Sequence, residues 1–137
     1  MIRRQRTLQL ACNARLLGSD WARLSRALDV AEENKAVVRR FMSEVVGGGN
    51  LDVADEVLAP NYVNLALGGA DLAGIKAMFN ATNALLKEQR VDDEELVAEG
   101  DAVFARFNYT ITLPDGSATT SRAPAYYRLA DGRIVLK

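Results

Sequence analysis

The sequence contains no histidine and only one cysteine, Cys12, among its 137 residues. A single cysteine cannot form an intramolecular disulfide, and the common zinc sites need histidine or further cysteines. Magnesium or calcium held by carboxylates alone stays an alternative, although no motif suggests it. We therefore predict a protein that uses neither a metal nor another cofactor.

Long apolar runs are also missing. No run approaches the eighteen or more residues that a membrane-spanning helix requires, so we expect a soluble, cytoplasmic protein with no membrane contact. Hydrophobic residues nevertheless make up 49% of the chain. A chain of this length and composition fits one main domain, which buries roughly two thirds of the surface that its unfolded form exposes.

Acidic residues are scarce at the beginning of the chain. Residues 1–28 hold six arginines and one acid, a net charge of +5, and the rest of the chain sums to −6. Such a leader fits a transit peptide, an arm that binds nucleic acid, a helix on an acidic neighbour, or a solvated segment, and the last is preferred. The lack of aromatic residues interleaved with the arginines disfavours nucleic-acid binding. Helical spacing of Leu17, Trp21, Leu24 and Leu28 predicts a partly helical leader.

Residues 29–137 read as the main domain, and their first part is helical. Asp29 and Glu32 resemble a capping box before an apolar face that ends at Gly47, although the helix could also run continuously from about 20 to 46. Asn50 can cap a short second helix that Pro60 ends, and a third helix follows Asp71. A strand is predicted between them, over residues 61–67.

From residue 91 onward the period of the apolar residues changes to two. Turn signals over 99–101, 114–116 and 131–132 divide this part into four antiparallel segments. Helices followed by a meander predict an α+β domain in which a curved sheet wraps the helices. In the last hairpin at most five residues can pair with about eleven. The unpaired part of the longer strand is therefore either covered by another part of the structure, or the given sequence is shortened.

The segment 102–113 has two different faces. The apolar face contains Val103, Phe107 and Tyr109, and such a pattern predicts packing on the helices on one side of the sheet and a partner subunit on the other. The mixed face contains Arg106 and Asn108. Mixed faces are ordinarily solvated, but in the alternative interpretation this one lines a cavity under the helices.

The sequence resembles the SnoaL-like polyketide cyclase family of the nuclear-transport-factor-two-like superfamily. The resemblance covers about residues 32–137 and rests on ENKAVVRRFMSEVVGGGNLDVADEVLAPNYVN, GIKAMFNA, VAEGDAVFARFNYTIT and YRLADGRIV. It implies a cone of three helices in a strongly curved sheet, with a deep apolar pocket and commonly a homodimer through the sheet. The cyclases of this family close rings by an intramolecular aldol reaction in which a pocket acid serves as acid and base, without a cofactor.

The resemblance also implies site residues. Related limonene epoxide hydrolases hold a water with a Tyr-x-Asn pair, which Tyr62 and Asn64 match here. Their Arg-x-Asp pair is matched only in part, because Arg106 is present and Asn108 stands at the Asp position. Their third acid would fall about two residues after Lys137. We therefore predict Tyr62, Asn64, Arg106 and Asn108 as catalytic residues, and Phe41, Phe79, Phe104 and Tyr126 as contacts to a small apolar molecule.

Alternatives remain for several of these residues. Tyr62 and Asn64 either face the pocket or complete the core and a turn. Arg106 is either a pocket cation or a surface partner of Glu94 or Glu95, and Tyr126 and Tyr127 lie on opposite faces, so one of them reaches the cavity. The protein is accordingly either a cyclase, isomerase or epoxide hydrolase acting on a small apolar carbonyl compound or epoxide, or a binding or dimerisation module without an acid/base residue.

Overall fold

A computed structural model of the chain describes residues 18–137. The chain divides into two compact units, one that ends at Val30 and one formed by Ala31–Lys137. Cys12, Leu17 and most of the predicted leader lie outside the described residues. The described part of the first unit is helical, as the spacing predicted, and Trp21, Leu24 and Leu28 are exposed on it.

Helix α1 extends over Gly18–Arg40 and continues directly into a π-helical turn at Phe41–Val46. The continuous helix is therefore the alternative that the structure shows. The turn buries Phe41, Met42 and Val45. It ends where the Gly47 N–H donates to the Met42 carbonyl at 2.9 Å.

Two shorter helices follow, each with the cap that the sequence predicts. Asn50 Oδ1 accepts from the backbone N–H groups of Asp52 and Val53 at the start of α2, Leu51–Val57. Asp71 Oδ1 accepts from the Gly74 N–H at 2.8 Å at the start of α3, Leu72–Leu85. These side chains satisfy N–H groups that have no partner within the helix.

The strand between α2 and α3 begins three residues earlier than predicted. Strand β1 covers Leu58–Asn64, and Leu65–Leu67 form a 3₁₀ turn. Pro60 therefore lies inside the strand. It is tolerated there because the pairing of β1 with its neighbour is irregular between Leu58 and Val63, so the missing N–H breaks no regular ladder.

The remaining strands are β2 (Ala70–Asp71), β3 (Glu88–Glu99), β4 (Ala102–Thr112), β5 (Ala118–Ala130) and β6 (Arg133–Leu136). They form one sheet in the order β2-β1-β6-β5-β4-β3. The four predicted antiparallel segments are confirmed as β3 to β6. Strand β6 also pairs with β1 in parallel, so the short last segment is an internal strand and the sheet is mixed.

In the unit Ala31–Lys137 the sheet curls, and its inner face packs on the helices. The predicted α+β class with three helices is therefore confirmed. Phe41 makes edge contacts with Phe79 of α3 and Tyr127 of β5, at ring-centroid distances of 6.2 and 6.0 Å. Each fully buried side chain of this size contributes roughly 1.5–3 kcal/mol to folding. The aromatic group thus ties the π-helical turn and α3 to the centre of the sheet.

No helix among residues 18–137 is long and apolar enough to cross a membrane.

Candidate functional site

A cavity of about 270 Å³ lies between α3 and the inner faces of β1, β4 and β5. Its lining residues divide into six apolar and five polar ones. The apolar residues are Val46, Leu67, Met78, Phe79, Phe107 and Ala123, and the polar ones are Asn64, Thr82, Tyr109, Ser121 and Lys137. Among these described lining residues there is no aspartate or glutamate, and Lys137 is the one with an amino group.

Asn64 reaches the cavity from the end of β1, where its side chain is held in place from two directions. Its Nδ2 donates to the Tyr62 hydroxyl at 3.1 Å, and its Oδ1 accepts from the Leu67 N–H at 3.1 Å. Asn64 therefore both lines the cavity and stabilises the turn, which combines the two alternatives that the sequence left open. One N–H of the amide remains free to donate to a ligand.

Tyr62 lies behind Asn64 and is only 1% exposed, so its role is to support the amide from the core. Burial raises the pKa of Tyr62 to about 12. The hydrogen bond from Asn64 lowers this pKa, but by less than burial raises it. The phenol stays neutral over the physiological range.

Lys137 lies beside Asn64 because β1 and the end of β6 are hydrogen-bonded neighbours. The Lys137 N–H donates to the Val63 carbonyl, and the Leu65 N–H donates to the Lys137 carbonyl, at 3.1 and 2.8 Å. The two residues that flank Asn64 therefore both bind the backbone of Lys137. This pairing places Asn64 and Lys137 side by side on neighbouring strands, and both residues line the cavity.

The orientation of Lys137 depends on an irregularity in β6. Leu129 of β5 pairs with Ile134, but Arg128 pairs with Leu136, so Val135 is an extra residue. Strict alternation from buried Ile134 would turn Lys137 outward. The extra residue reverses the alternation and turns Lys137 inward. Sequence reasoning missed this residue, since nothing in RIVLK marks the bulge.

The amino group of Lys137 lies over the ring of Tyr127, 5.7 Å from its centroid. Burial lowers the pKa of Lys137. The Tyr127 hydroxyl is itself buried and has no hydrogen-bond partner among the described residues. Its pKa is raised, first by burial and then by the neighbouring Tyr62 and Glu94. The amino group of Lys137 thus lies beside an aromatic ring and has no ion pair among the described residues.

A chain of side-chain hydrogen bonds supports the opposite wall. The Tyr109 hydroxyl donates to Gln89 Oε1, Gln89 Nε2 donates to Asn83 Oδ1 at 2.7 Å, and Asn83 Nδ2 donates to the Gly49 carbonyl at 3.1 Å. Burial raises the pKa of Tyr109. Tyr109 is therefore a fixed neutral phenol whose oxygen can accept from a ligand.

The structure divides the predicted site residues between the two faces of the sheet. Asn64 and Phe79 line the cavity, and Tyr62 and Phe41 lie in the core behind it. Phe104, Arg106 and Tyr126 lie together on the outer face, around a depression of about 420 Å³.

The mixed face of β4 lies on the outer side of the sheet, so the interpretation in which it lines the cavity is wrong. Phe107 and Tyr109, from the apolar face, supply the wall instead. Arg106 Nη2 forms an ion pair with Glu95 Oε2 at 3.0 Å, and both side chains are exposed to solvent. Asn108, also on the outer face by alternation, pairs with Arg122 across the sheet.

Of the two neighbouring tyrosines, Tyr127 points inward and Tyr126 outward. Tyr126 packs against Phe104 with a centroid distance of 4.8 Å, and Phe104 remains 59% exposed. The prediction that Tyr126 and Phe104 contact a ligand in the cavity is wrong about their face, because side chains alternate along β4 and β5.

No group of three or more potential metal ligands occurs within the described residues. The cavity lining itself supplies amide, hydroxyl and amino groups, which fit an oxygen-bearing organic ligand better than a metal ion.

Comparison with solved structures defines the fold as nuclear-transport-factor-two-like. A protein assigned as a polyketide cyclase from Acidithiobacillus ferrooxidans is 24% identical, with a TM-score of 0.66 over 76% of this chain and 84% of that one. A protein of this fold and of unknown function from Burkholderia pseudomallei is 18% identical, with a TM-score of 0.63 over 76% and 86%. TerC, crystallised with polyporic acid, is 17% identical, with a TM-score of 0.64 over 76% and 87%.

The family follows from the sequence itself. The model of the SnoaL-like domain matches residues 38–137, which is most of the chain. The protein therefore belongs to the SnoaL-like domain family, as the resemblance implied. No curated protein matches it in sequence.

Proposed function

We propose that the cavity binds a small aromatic carbonyl compound whose oxygen is held by Asn64 and Lys137. The observation that carries this proposal is that Asn64 and Lys137, paired through the backbone of neighbouring strands, both line a cavity that Phe79 and Phe107 also line. Aromatic side chains provide flat contact surfaces, and a few fixed polar groups orient a ligand.

The electrostatics of the cavity favour a carbonyl, enol or enolate oxygen over a cation. The free N–H of Asn64 and the amino group of Lys137 are both donors. No aspartate or glutamate side chain among the described lining residues neutralises the charge of Lys137, so an anionic ligand oxygen would provide a partner for it.

The size of the cavity, about 270 Å³, suits a flat aromatic ligand of two or three rings. Polyporic acid, the compound crystallised with TerC, is an aromatic hydroxyquinone, and we propose a related chemical class for this chain.

Two forms of this function remain, one catalytic and one not. As an enzyme, the protein would be a cyclase or isomerase that needs no cofactor. As a binding module, it would hold the ligand without turnover, and the lack of a carboxylate in the described lining favours this form. The epoxide hydrolase alternative is weaker, because Arg106 and Asn108 lie on the outer face.

We also propose that two copies associate through the outer face of the sheet. Phe104 is 59% and Val97 is 64% exposed there, and the depression around them also includes Tyr126. Exposed apolar side chains grouped on one face are typical of a surface that binds a partner.

Calorimetric titration with polyporic acid and with 2-hydroxy-1,4-naphthoquinone tests the ligand proposal. We expect binding of at least one of them by the full chain, and about tenfold weaker binding by Lys137→Met, since a hydrogen bond to a charged group contributes roughly 1.5–3 kcal/mol. Lys76→Met, which removes a surface lysine paired with Asp55 at 2.7 Å, is the matched control.

Equal affinity of Lys137→Met and the unchanged protein, or failure of both quinones to bind, would contradict the proposal. Conversion of a bound ligand during the titration, followed by chromatography, would identify the catalytic form.

A further inference from the structure

We propose that Lys137 is a nucleophile that forms an imine with a carbonyl ligand in the cavity. This inference rests on the proposed function, since it assigns a covalent step to the same ligand class. It begins from the position of Lys137, which lines the cavity together with Asn64 and Ser121.

The surroundings of Lys137 distinguish it from the other lysines of the chain. Lys35 and Lys76 are ion-paired with Glu32 and Asp55 at 2.6 and 2.7 Å, and Lys87 is exposed to solvent. The amino group of Lys137 has no ion pair or hydrogen bond within the described part of the chain. Its neighbour is the aromatic face of Tyr127, at 5.7 Å.

A charged amine is less favourable in such a place than a neutral one. Burial removes water from the ammonium group, and a ring face replaces only part of the lost stabilisation. The pKa of Lys137 is accordingly lowered, which agrees with the geometry. The free amine, which alone can attack a carbonyl carbon, is therefore more abundant at Lys137 than at a paired or solvated lysine.

The chemical step is balanced without a cofactor or oxidant. The lone pair of the neutral amine attacks the carbonyl carbon, and the C=O π electrons move to oxygen. A proton passes from nitrogen to that oxygen to give a carbinolamine. The C–O bond then breaks, the oxygen leaves as water with the second proton of the amine, and a C=N bond forms.

Other cavity residues are placed to assist this step. The free N–H of Asn64 can donate to the carbonyl oxygen as negative charge develops on it. The Thr82 hydroxyl already donates to the Met78 carbonyl at 2.9 Å, so its oxygen is an acceptor. Once protonated, an imine makes the adjacent C–H bonds more acidic, which is the activation that an aldol closure requires.

Reductive trapping tests the proposal. The full chain is treated with 6-methoxy-2-naphthaldehyde and sodium borohydride, and the adducts are located by peptide mapping. We expect most of the single adduct on the peptide that ends at Lys137, with less on Lys35, Lys76, Lys87 and the α-amino group. Lys137→Arg should reduce the total adduct severalfold, whereas Lys76→Arg should not.

A second measurement separates this inference from the proposed function. The analogue 6-methoxy-2-naphthamide keeps the carbonyl oxygen that Asn64 and Lys137 are proposed to hold but cannot form an imine. We therefore expect it to bind in the same cavity and to protect Lys137 from labelling. Binding of the analogue with no preferred adduct at Lys137 would overturn the imine and leave the ligand site intact. Failure of the analogue to bind, together with even labelling of all lysines, would contradict both.

One further outcome also counts against the proposal. Preferred labelling of Lys137 that the analogue does not reduce would show a lysine that reacts from outside the cavity. The primary readout uses the unchanged chain, so it does not depend on the folding of any variant.

Discussion

Asn64 donates a hydrogen bond to the hydroxyl of Tyr62, two residues earlier on the same face of β1, at 3.1 Å. The phenol is fully buried and the amide lines the cavity, so the pair joins the core to the candidate site. A strand places residues i and i+2 on one face, and here that spacing lets a core residue orient a cavity residue.

The pair leads to a prediction about alkaline unfolding. Tyr62 has an ordinary pKa of 10.0 and a pKa of about 12 in the folded protein. The folded pKa is higher than the unfolded one, so the neutral phenol of Tyr62 favours the folded state. This contribution to stability is complete below pH 10 and is lost as the pH rises from 10 to about 12. Phenylalanine has no group that titrates here. Between pH 10 and 12 we therefore expect the free energy of unfolding of Tyr62→Phe to fall by roughly 2 kcal/mol less than that of the unchanged protein.

Urea titrations at several alkaline pH values measure this difference. Equal declines in the free energy of unfolding for Tyr62→Phe and the unchanged protein would contradict the prediction. A hydrogen-bond control is Asn64→Leu, which keeps the buried phenol and should therefore retain the alkaline decline.

The hydroxyl of Tyr127 has no hydrogen-bond partner among the described residues, so its removal should stabilise the protein, whereas most substitutions in a core destabilise it. A buried polar group without a partner costs about 1–3 kcal/mol, so Tyr127→Phe should raise the free energy of unfolding by about 1 kcal/mol. Tyr109→Phe is the matched control, since that hydroxyl donates to Gln89 and its loss should lower stability by about 1 kcal/mol. Urea unfolding of both variants at neutral pH decides, and a destabilised Tyr127→Phe would contradict the prediction.

The fold could be predicted from the sequence because its signals are local. Caps such as Asn50 and Asp71, the glycine turns and the change of period from about 3.6 to two each depend on a few neighbouring residues. The apolar face of β4, with Val103 and Phe107, was also predicted to meet the helices, and it does.

The site was harder to predict because it depends on register. The face of Asn64 could be predicted, since it follows Tyr62 by two residues in one strand. That of Lys137 could not, because one extra residue at Val135 reverses its direction. Arg106 was assigned by its position in the resemblance, although its own mixed face already fitted the ion pair with Glu95 that the structure shows.

The outer face of the sheet gives a prediction about assembly. A charge at Phe104 would have to be buried without a partner in a dimer through this face, so Phe104→Glu should be monomeric where the unchanged protein is dimeric. Leu85→Glu is the control, because Leu85 is 70% exposed and belongs to α3 and not to the sheet, so its replacement should leave the assembly unchanged. Sedimentation equilibrium measures the masses. A monomeric unchanged protein, or a dimeric Phe104→Glu, would contradict the proposed interface.

Lys137 gives the last prediction, which concerns stability as a function of pH. Burial lowers its pKa below the ordinary 10.5, so at intermediate pH the unfolded chain binds more protons than the folded one. Its unfavourable contribution is therefore largest at low and neutral pH and fades as the pH approaches 10.5. Tyr127, whose ring lies under the amino group, and Tyr109, which lines the same cavity, have raised pKa values and stay neutral in this window. Lys137→Met should accordingly be more stable than the unchanged protein at pH 7, with a gain that shrinks toward pH 10, whereas Lys76→Met should show no such trend. A gain independent of pH would mean that packing, and not the charge, is responsible.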